Sequence, residues 1–597
     1  MRRSLPFLLS TALLIGGAIP AASPVVGQAL IAPSADVRFA ALSKSYIDSI
    51  ARFSPVYGTQ LGDHRFDDRL PDITAAGRAH QATFERTLLA QLRAIDFKAL
   101  SRDNQVDALM LRNQLEYDLW DFDTLKSWSW NAQSYNDNAA GALYNLAARD
   151  FAPWPERLKV ATARMEALPA FLLETRKQLV AAKVPAIYAT QVSKQNSGIV
   201  EVAQDMLAPH AGELSAKDKA RFDAALARLK TAVADQQIWL DKTLVPSAKG
   251  NFRLGAKLYD QKMKFALMST MTRPELKAKA TEAAAKTRTQ MYVLARQILA
   301  GKADAPPLPD NPSAAQQQAA VEAALEVTYA KRPARAELMS AAKATLATAS
   351  DFVRAKGLVT MPRAPVKIIT MPKFQQGFAV AYDDPPGALE RHLDNFFAVS
   401  PIPDEWSDEQ ATSFLSEYNN YMLHDLSIHE AMPGHYLQLA HSNENPSVLR
   451  AVLGSGPFVE GWAVYAEGMM SDAGYLRGDP LFKLTVLKMR LRSVTNTLLD
   501  IGIQTEGMTR EQAMEMMTKG AFQQEREAAG KWTRANLSST QLLSYFTGYA
   551  EHMAMRAEAM KREGVAFNLK KYNDAAISHG SPPVRYVRQL MFGLPIE

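Results

Sequence analysis

S-I-H-E-A-M-P-G-H-Y-L-Q, residues 427–438, sets two histidines around a glutamate and a Pro-Gly pair. Glu460 follows 25 residues after the second histidine, in F-V-E-G-W-A-V-Y-A-E, residues 458–467. The usual zinc-peptidase signature places its histidines at i and i+4 on one helix face, with a general-base glutamate beside the first. Here His429 and His435 are six apart. On a regular helix, at about 100° per residue, they would diverge by roughly 120° around the axis. The helix must therefore be distorted between them. Pro433 has no N–H for the carbonyl of His429, and its ring clashes with that carbonyl. Gly434 tolerates whatever backbone angles result. A bulge at this point turns both imidazoles to one side. The alternative is that Pro433 simply ends one helix and the histidines never converge.

The neighbourhood extends this reading. The metal helix is expected to begin near residue 408 and run through Tyr418, Tyr421 and Asp425 to the site. Four of the ten histidines lie from His424 to His441. His424 and His441 are read as solvent-facing or supporting residues rather than ligands. Asp425, four residues before His429, is either an ordinary solvated aspartate or the acceptor that fixes the imidazole tautomer. Glu460 and Glu467, seven apart, share a helix face flanked by Phe458, Val459, Trp462, Ala463 and Val464. That helix should be buried, and a buried carboxylate is costly unless paired or bound to a metal. Glu460 is accordingly assigned as third ligand and Glu467 as its supporting carboxylate.

Working outward, residues 366–371 (V-K-I-I-T-M) and 378–382 (F-A-V-A-Y) read as two strands around a turn at Gly377, and 396–399 as a third. Such a sheet either holds an extended peptide at its edge or caps a core. From residue 37 to about 300 the chain reads as helix after helix, rich in good helix formers with apolar residues at helical spacing. The stretch G-K-A-D-A-P-P-L-P-D-N-P, residues 301–312, is an exposed connector, either between lobes or between helices of one lobe. The expected fold is mainly α, large and two-lobed, with a small sheet near the active site. Its divisions are a leader over 1–28, an N-terminal helical region over 29–312 and a catalytic region over 313–597. The catalytic region carries the sheet at about 366–400 and the metal-binding helices at about 408–475.

The formal charge of +6 is spread over mixed signs without a concentrated basic patch, which argues against a nucleic-acid partner. There is no cysteine, so disulfides, thiolate ligands and a lipid-modified N-terminal cysteine are excluded for this sequence. Any metal must be held by histidines and carboxylates. Residues 1–28 read as a secretory signal peptide, with Arg2 and Arg3, an apolar core, and cleavage after Ala22 or Gly27. A retained anchor is the alternative. Nothing later looks able to cross a membrane, so a periplasmic or secreted protein without stable membrane insertion is expected.

H-E-A-M-P-G-H-Y-L-Q followed by E-G-W-A-V-Y-A-E resembles the signature of the bacterial domain of unknown function 885 family, whose members are similar to helical zinc peptidases of the gluzincin type. The resemblance covers most of the chain. S-P-V-Y-G-T-Q-L-G-D-H-R-F-D-D-R-L from Ser54 is similar to the family's N-terminal stretch; L-L-S-Y-F-T-G-Y with Arg556, and H-G-S-P-P-V from His579, are similar to its C-terminal blocks. It implies a predominantly helical fold, a deep cleft and peptidase activity, with His429, His435 and Glu460 holding one Zn2+ and Glu430 as catalytic carboxylate. In L-L-D-I-G-I-Q the chain departs from the family, where a histidine commonly stands at the place of Gln504; a substrate contact there is thereby in doubt.

The expected chemistry is peptide hydrolysis by a metal-activated water, with Glu430 as general base. Tyr545, Tyr549 and His579 are the candidates for stabilising the oxyanion. Arg556 is the candidate for binding a substrate carboxylate, which would make the enzyme a carboxypeptidase or short-peptide hydrolase. Two alternatives remain open: a metallohydrolase of a non-peptide ester or amide, and a non-catalytic helical binding protein that retains the metal-site motif.

Overall fold

The computed structural model describes residues 33–363, 365–371, 381–404 and 406–597. The expected leader, the turn at Gly377 and the start of the second expected strand lie outside these residues. The described chain is mainly α-helical, with one small sheet. Its helices begin where the sequence supplies N-caps: Ser34, Thr74, Ser101 and Ser215 each accept a backbone N–H of the first turn. Thr272 and Ser313 close full capping boxes with Glu275 and Gln316.

One core lies within the N-terminal half, where Leu143 and Leu146 meet Met165, Leu168, Phe222 and Leu229. A second gathers Ile428, Leu437, Phe458, Trp462, Met470, Phe482 and Ile577 around the metal motif. The expected lobe boundary at residue 312 is corrected by the packing. Helix Arg273–Leu299 lies on helix Pro480–Thr505 through Met291, Leu299, Leu484 and Leu491, so it belongs with the C-terminal region. The Pro-rich connector joins two helices of one lobe. Tyr292 and Ala295 before it share a core with Val321 and Leu325 after it, and the Tyr292 hydroxyl donates to the carbonyl of Pro309 at 2.6 Å.

The sheet has three strands: β1, Val366–Thr370; β2, Ala381–Asp384; and β3, Asn395–Val399. β3 lies between the other two, parallel to β1 and antiparallel to β2. The first two strands are therefore not paired around a turn at Gly377. The most apolar strand takes the centre, with Phe397, Ala398 and Val399 all buried, and β2 is left as an edge. The expected continuous metal helix is also corrected. It is two helices, Asp408–Glu417 and Asn420–Glu430. The Asn419 side chain causes the break, accepting the N–H groups of Tyr421 and Met422 at 3.0 and 3.2 Å and so capping the second helix afresh.

Candidate metal centre

The chain around the motif neither stays helical with a bulge nor lets the histidines part. Helix Asn420–Glu430 ends beside His429, and a new helix, His435–Ser442, starts with the second histidine. Ala431 leaves helical geometry at φ −127° and ψ −73°. Gly434 then passes so close to the first helix that a Cβ there would sit 1.9 Å from the carbonyl oxygen of His429. No other residue type fits. The freed carbonyl of Pro433 accepts the indole N–H of Trp462 at 2.9 Å, which ties the turn to helix Gly456–Asp472. Trp462 is fully buried, so the E-G-W motif fixes the shape of the P-G motif. The result is convergence, with the two imidazole centroids 4.7 Å apart and nearly perpendicular at 84°.

Glu460 completes the group. Its Oε2 lies 3.7 Å from His429 Nε2 and 3.4 Å from His435 Nε2, and one ligand atom from each residue lies within 4.8 Å of the others. Tetrahedral zinc with bonds of about 2.0–2.2 Å sets its ligand atoms roughly 3.3–3.6 Å apart. The donor set therefore fits. Glu460 Oε2 is also buried without a hydrogen-bond partner among the described residues, an expensive arrangement that a cation relieves. Burial alone would raise the Glu460 pKa, yet the two imidazoles hold it well below the ordinary value. Burial raises that of Glu430 against the opposing pull of the same imidazoles. One oxygen of Glu430 accepts the backbone N–H of Asp383 at 3.1 Å, so β2 holds this carboxylate in place.

The tautomer of His429 is set by Glu467. Its Oε1 accepts from Nδ1 at 2.6 Å, leaving Nε2 toward Glu460. Asp425 fits neither reading made of it. It is completely buried, not solvated, and its carboxylate has no hydrogen-bond partner among the described residues. Glu467 reaches His429 from the facing helix and takes the place Asp425 was expected to hold. Burial, reinforced by the charge of Glu467, pushes Asp425 far above the usual carboxylate range. His424 and His441 are engaged elsewhere, with Tyr475 at 2.8 Å and the carbonyl of Thr360 at 2.7 Å.

These groups open into a cavity of about 1040 Å³. His429, Glu430, His435, Glu460 and Tyr545 line it together with residues of helix Ala132–Ala147 and of the segment 191–201. Of the three oxyanion candidates only Tyr545 lines this cavity. The Tyr549 ring sits under the guanidinium of Arg490. His579 ends a helix near Arg450, to which its carbonyl is bonded at 3.0 Å. Arg556 does not line the cavity either, but packs over the ring of Tyr465. The expected carboxylate-binding role therefore has no geometry at Arg556. Gln504 is buried away from the cavity, accepting from Leu254 N and donating to Ser538 O. Sequence reading missed Arg534, which lines the cavity and donates to the Tyr545 hydroxyl at 3.1 Å, and the support that Asp383 gives Glu430. An arginine on a polar helix carries no local signal of either kind.

A mainly helical protein with a small sheet, opening a two-histidine, two-glutamate cluster into a large cavity, is the class that fold and site define. The chain belongs to the family described as bacterial protein of unknown function (DUF885), whose model matches residues 55–591. Among solved structures it is similar to a candidate lipoprotein of unknown function from Shewanella oneidensis, at 33% identity and a TM-score of 0.79, over 93% of this chain and 99% of that one. A candidate lipoprotein from Colwellia psychrerythraea shares the fold at 14% identity and a TM-score of 0.72, over 94% and 99% of the two chains. No curated protein matches the chain significantly.

Proposed function

We propose that the protein is a zinc-dependent hydrolase whose substrates are peptides. The observation that carries this reading is the convergence of His429, His435 and Glu460, with Glu430 beside them, on one cavity. His429 Nε2, His435 Nε2 and Glu460 Oε2 would hold the ion. When bound, zinc supplies a water acidified to a pKa of about 7 and a Lewis acid for the substrate carbonyl.

The chain's own residues do the rest. Glu430 takes a proton from the attacking water on a carboxylate oxygen as the new C–O bond forms, and delivers it to the leaving nitrogen as the C–N bond breaks. The hold of β2 on Glu430 aligns that oxygen. Tyr545 donates its hydroxyl proton toward the developing oxyanion. The edge of β2, whose residues 381–383 line the cavity, offers backbone groups to an extended peptide. The envelope is the proposed location: the two similar structures are described as candidate lipoproteins, and no helix among the described residues is long and apolar enough to cross a membrane.

The test is elemental analysis of the purified chain with Glu430→Gln and His435→Ala variants. About one zinc per chain, absent from His435→Ala, is expected. Glu430→Gln should keep the zinc and lose roughly 10²–10⁴-fold in peptide hydrolysis. A chain that stays metal-free after zinc is added would leave the binding-protein alternative, and hydrolysis of esters but no peptide would select the non-peptide reading.

A further inference from the structure

Arg534 is the feature of the cavity that this mechanism does not use. It stands on helix Glu525–Leu537, and its guanidinium donates only to neutral acceptors, Gln541 Oε1 at 3.0 Å and the Tyr545 hydroxyl at 3.1 Å. Among the described residues no carboxylate forms an ion pair with it. Glu527, on the same helix as Arg534, pairs instead with Arg492. Arg534 is thus a cation without an ion-pair partner among the described residues, and it lines the cavity of the candidate metal centre. It is close enough to Glu460 for the two charges to interact, as is Tyr545.

The part of the lining that comes from the N-terminal half gives no such sign. Lys194 stands there among Asp137 and Glu201, so its charges are mixed. Arg534 is the one guanidinium among the residues that line the cavity. Arginine presents a planar fork that matches a carboxylate in two parallel hydrogen bonds.

We propose that Arg534 seats the free C-terminal carboxylate of a peptide, which makes this chain an exopeptidase that removes one or two C-terminal residues. The reach follows from chain geometry: one or two extended residues span at most about 7 Å, and Arg534 stands one hydrogen bond, 3.1 Å, from Tyr545, the hydroxyl assigned to the oxyanion. The substrate class rests on the hydrolase reading above; the carboxylate seat itself does not.

The experiment uses a mixed-sequence pentapeptide pool, N-acetylated throughout, prepared once as free acids and once as C-terminal amides. With the zinc-loaded full chain, mass spectrometry should show free acids shortened from the C-terminus with kcat/KM about 10–100-fold above the amides. Arg534→Gln should lose that preference, and Arg534→Lys should restore part of it. Independently of catalysis, the metal-free chain immobilised on a resin should retain the acids over the amides, and Arg534→Gln should retain both alike. Internal cleavage, equal treatment of acids and amides by the unaltered chain, or an acid preference that survives in Arg534→Gln would each overturn the proposal. If neither pool is cut, the hydrolase reading fails, and retention alone decides the carboxylate seat: selective retention lost in Arg534→Gln supports it, and equal or no retention refutes it.

Discussion

At the scale of single residues, the site depends on how each ligand is held as much as on the ligands themselves. His429 offers Nε2 to the centre because Glu467, almost wholly buried, accepts a hydrogen bond from Nδ1 at 2.6 Å. A carboxylate in that position fixes the ring and raises the basicity of the ligating nitrogen. Glu467→Gln keeps the size of the side chain and removes the charge. It should weaken zinc binding by about 10–100-fold, measured by competition with a chelator, while the fold persists. An unchanged zinc affinity would mean that the Nδ1 contact does nothing for the centre. His429, Glu430 and His435 were legible in the sequence because their information is local: a six-residue spacing, a proline with a glycine to absorb its effect, and a glutamate beside the first histidine; Glu460 was read from the apolar helix face it shares with Glu467. The supporting partner of His429 was legible less cleanly. Asp425 and Glu467 are both carboxylates at plausible spacing, and only the packing of two helices shows which one reaches the ring and which lies buried beside it.

Helices and strands carry the next layer, and their pairing is what spacing along one chain could not give. Helix Gly456–Asp472 and helix Ser544–Glu563 cross at two glycines. A Cβ on Gly461 would lie 2.3 Å from the backbone of Gly548, and a Cβ on Gly548 would lie 1.7 Å from the carbonyl oxygen of Pro457. The blocks E-G-W and F-T-G-Y are thus two halves of one contact, and that contact brings Tyr545, one helical turn before Gly548, into the cavity that Glu460 also lines. Sequence alone offered Tyr545, Tyr549 and His579 on equal terms, because the crossing that selects among them joins segments nearly ninety residues apart. The same limit explains Arg534 against Arg556, and the placing of β3 between β1 and β2. Gly548→Ala puts a methyl group against backbone that cannot move aside without separating the helices. It should cost about 1–3 kcal/mol of stability, seen as a lowered unfolding midpoint, and reduce hydrolysis more than zinc content, since Tyr545 moves and the ligands stay. Full activity with normal stability would show that the crossing has slack.

For the whole molecule, the question is why a helical N-terminal half accompanies a metal cluster built from the C-terminal one. Composition marked residues 301–312 as exposed, but an exposed Pro-rich loop does not say which cores it separates, and here it separates none. The halves meet instead across the cavity and at the sheet. Arg149, just past helix Ala132–Ala147, donates to the backbone carbonyls of Asp384, Pro385 and Asp394 at 2.7–2.8 Å and pairs with the Asp384 carboxylate at 2.7 Å. Tyr144 of that helix shares a hydrogen bond with Tyr382 of β2. The N-terminal stretch after Ser54 grips the loop that follows β2: Leu61 accepts the N–H of Leu389 at 2.8 Å, and His64 faces Glu390 at 3.1 Å. The first half of the chain thus holds β2, and β2 in turn holds Glu430 and offers its edge to the cavity. Removing the Arg149 side chain leaves carbonyls and a carboxylate without their donor. Arg149→Ala should therefore lower stability by about 1–3 kcal/mol and raise KM for peptides while zinc content stays near one per chain. A selective loss of zinc would place the effect at the ligands instead. Unaltered KM and kcat would mean that β2 is held firmly without the N-terminal half, which would then need another explanation.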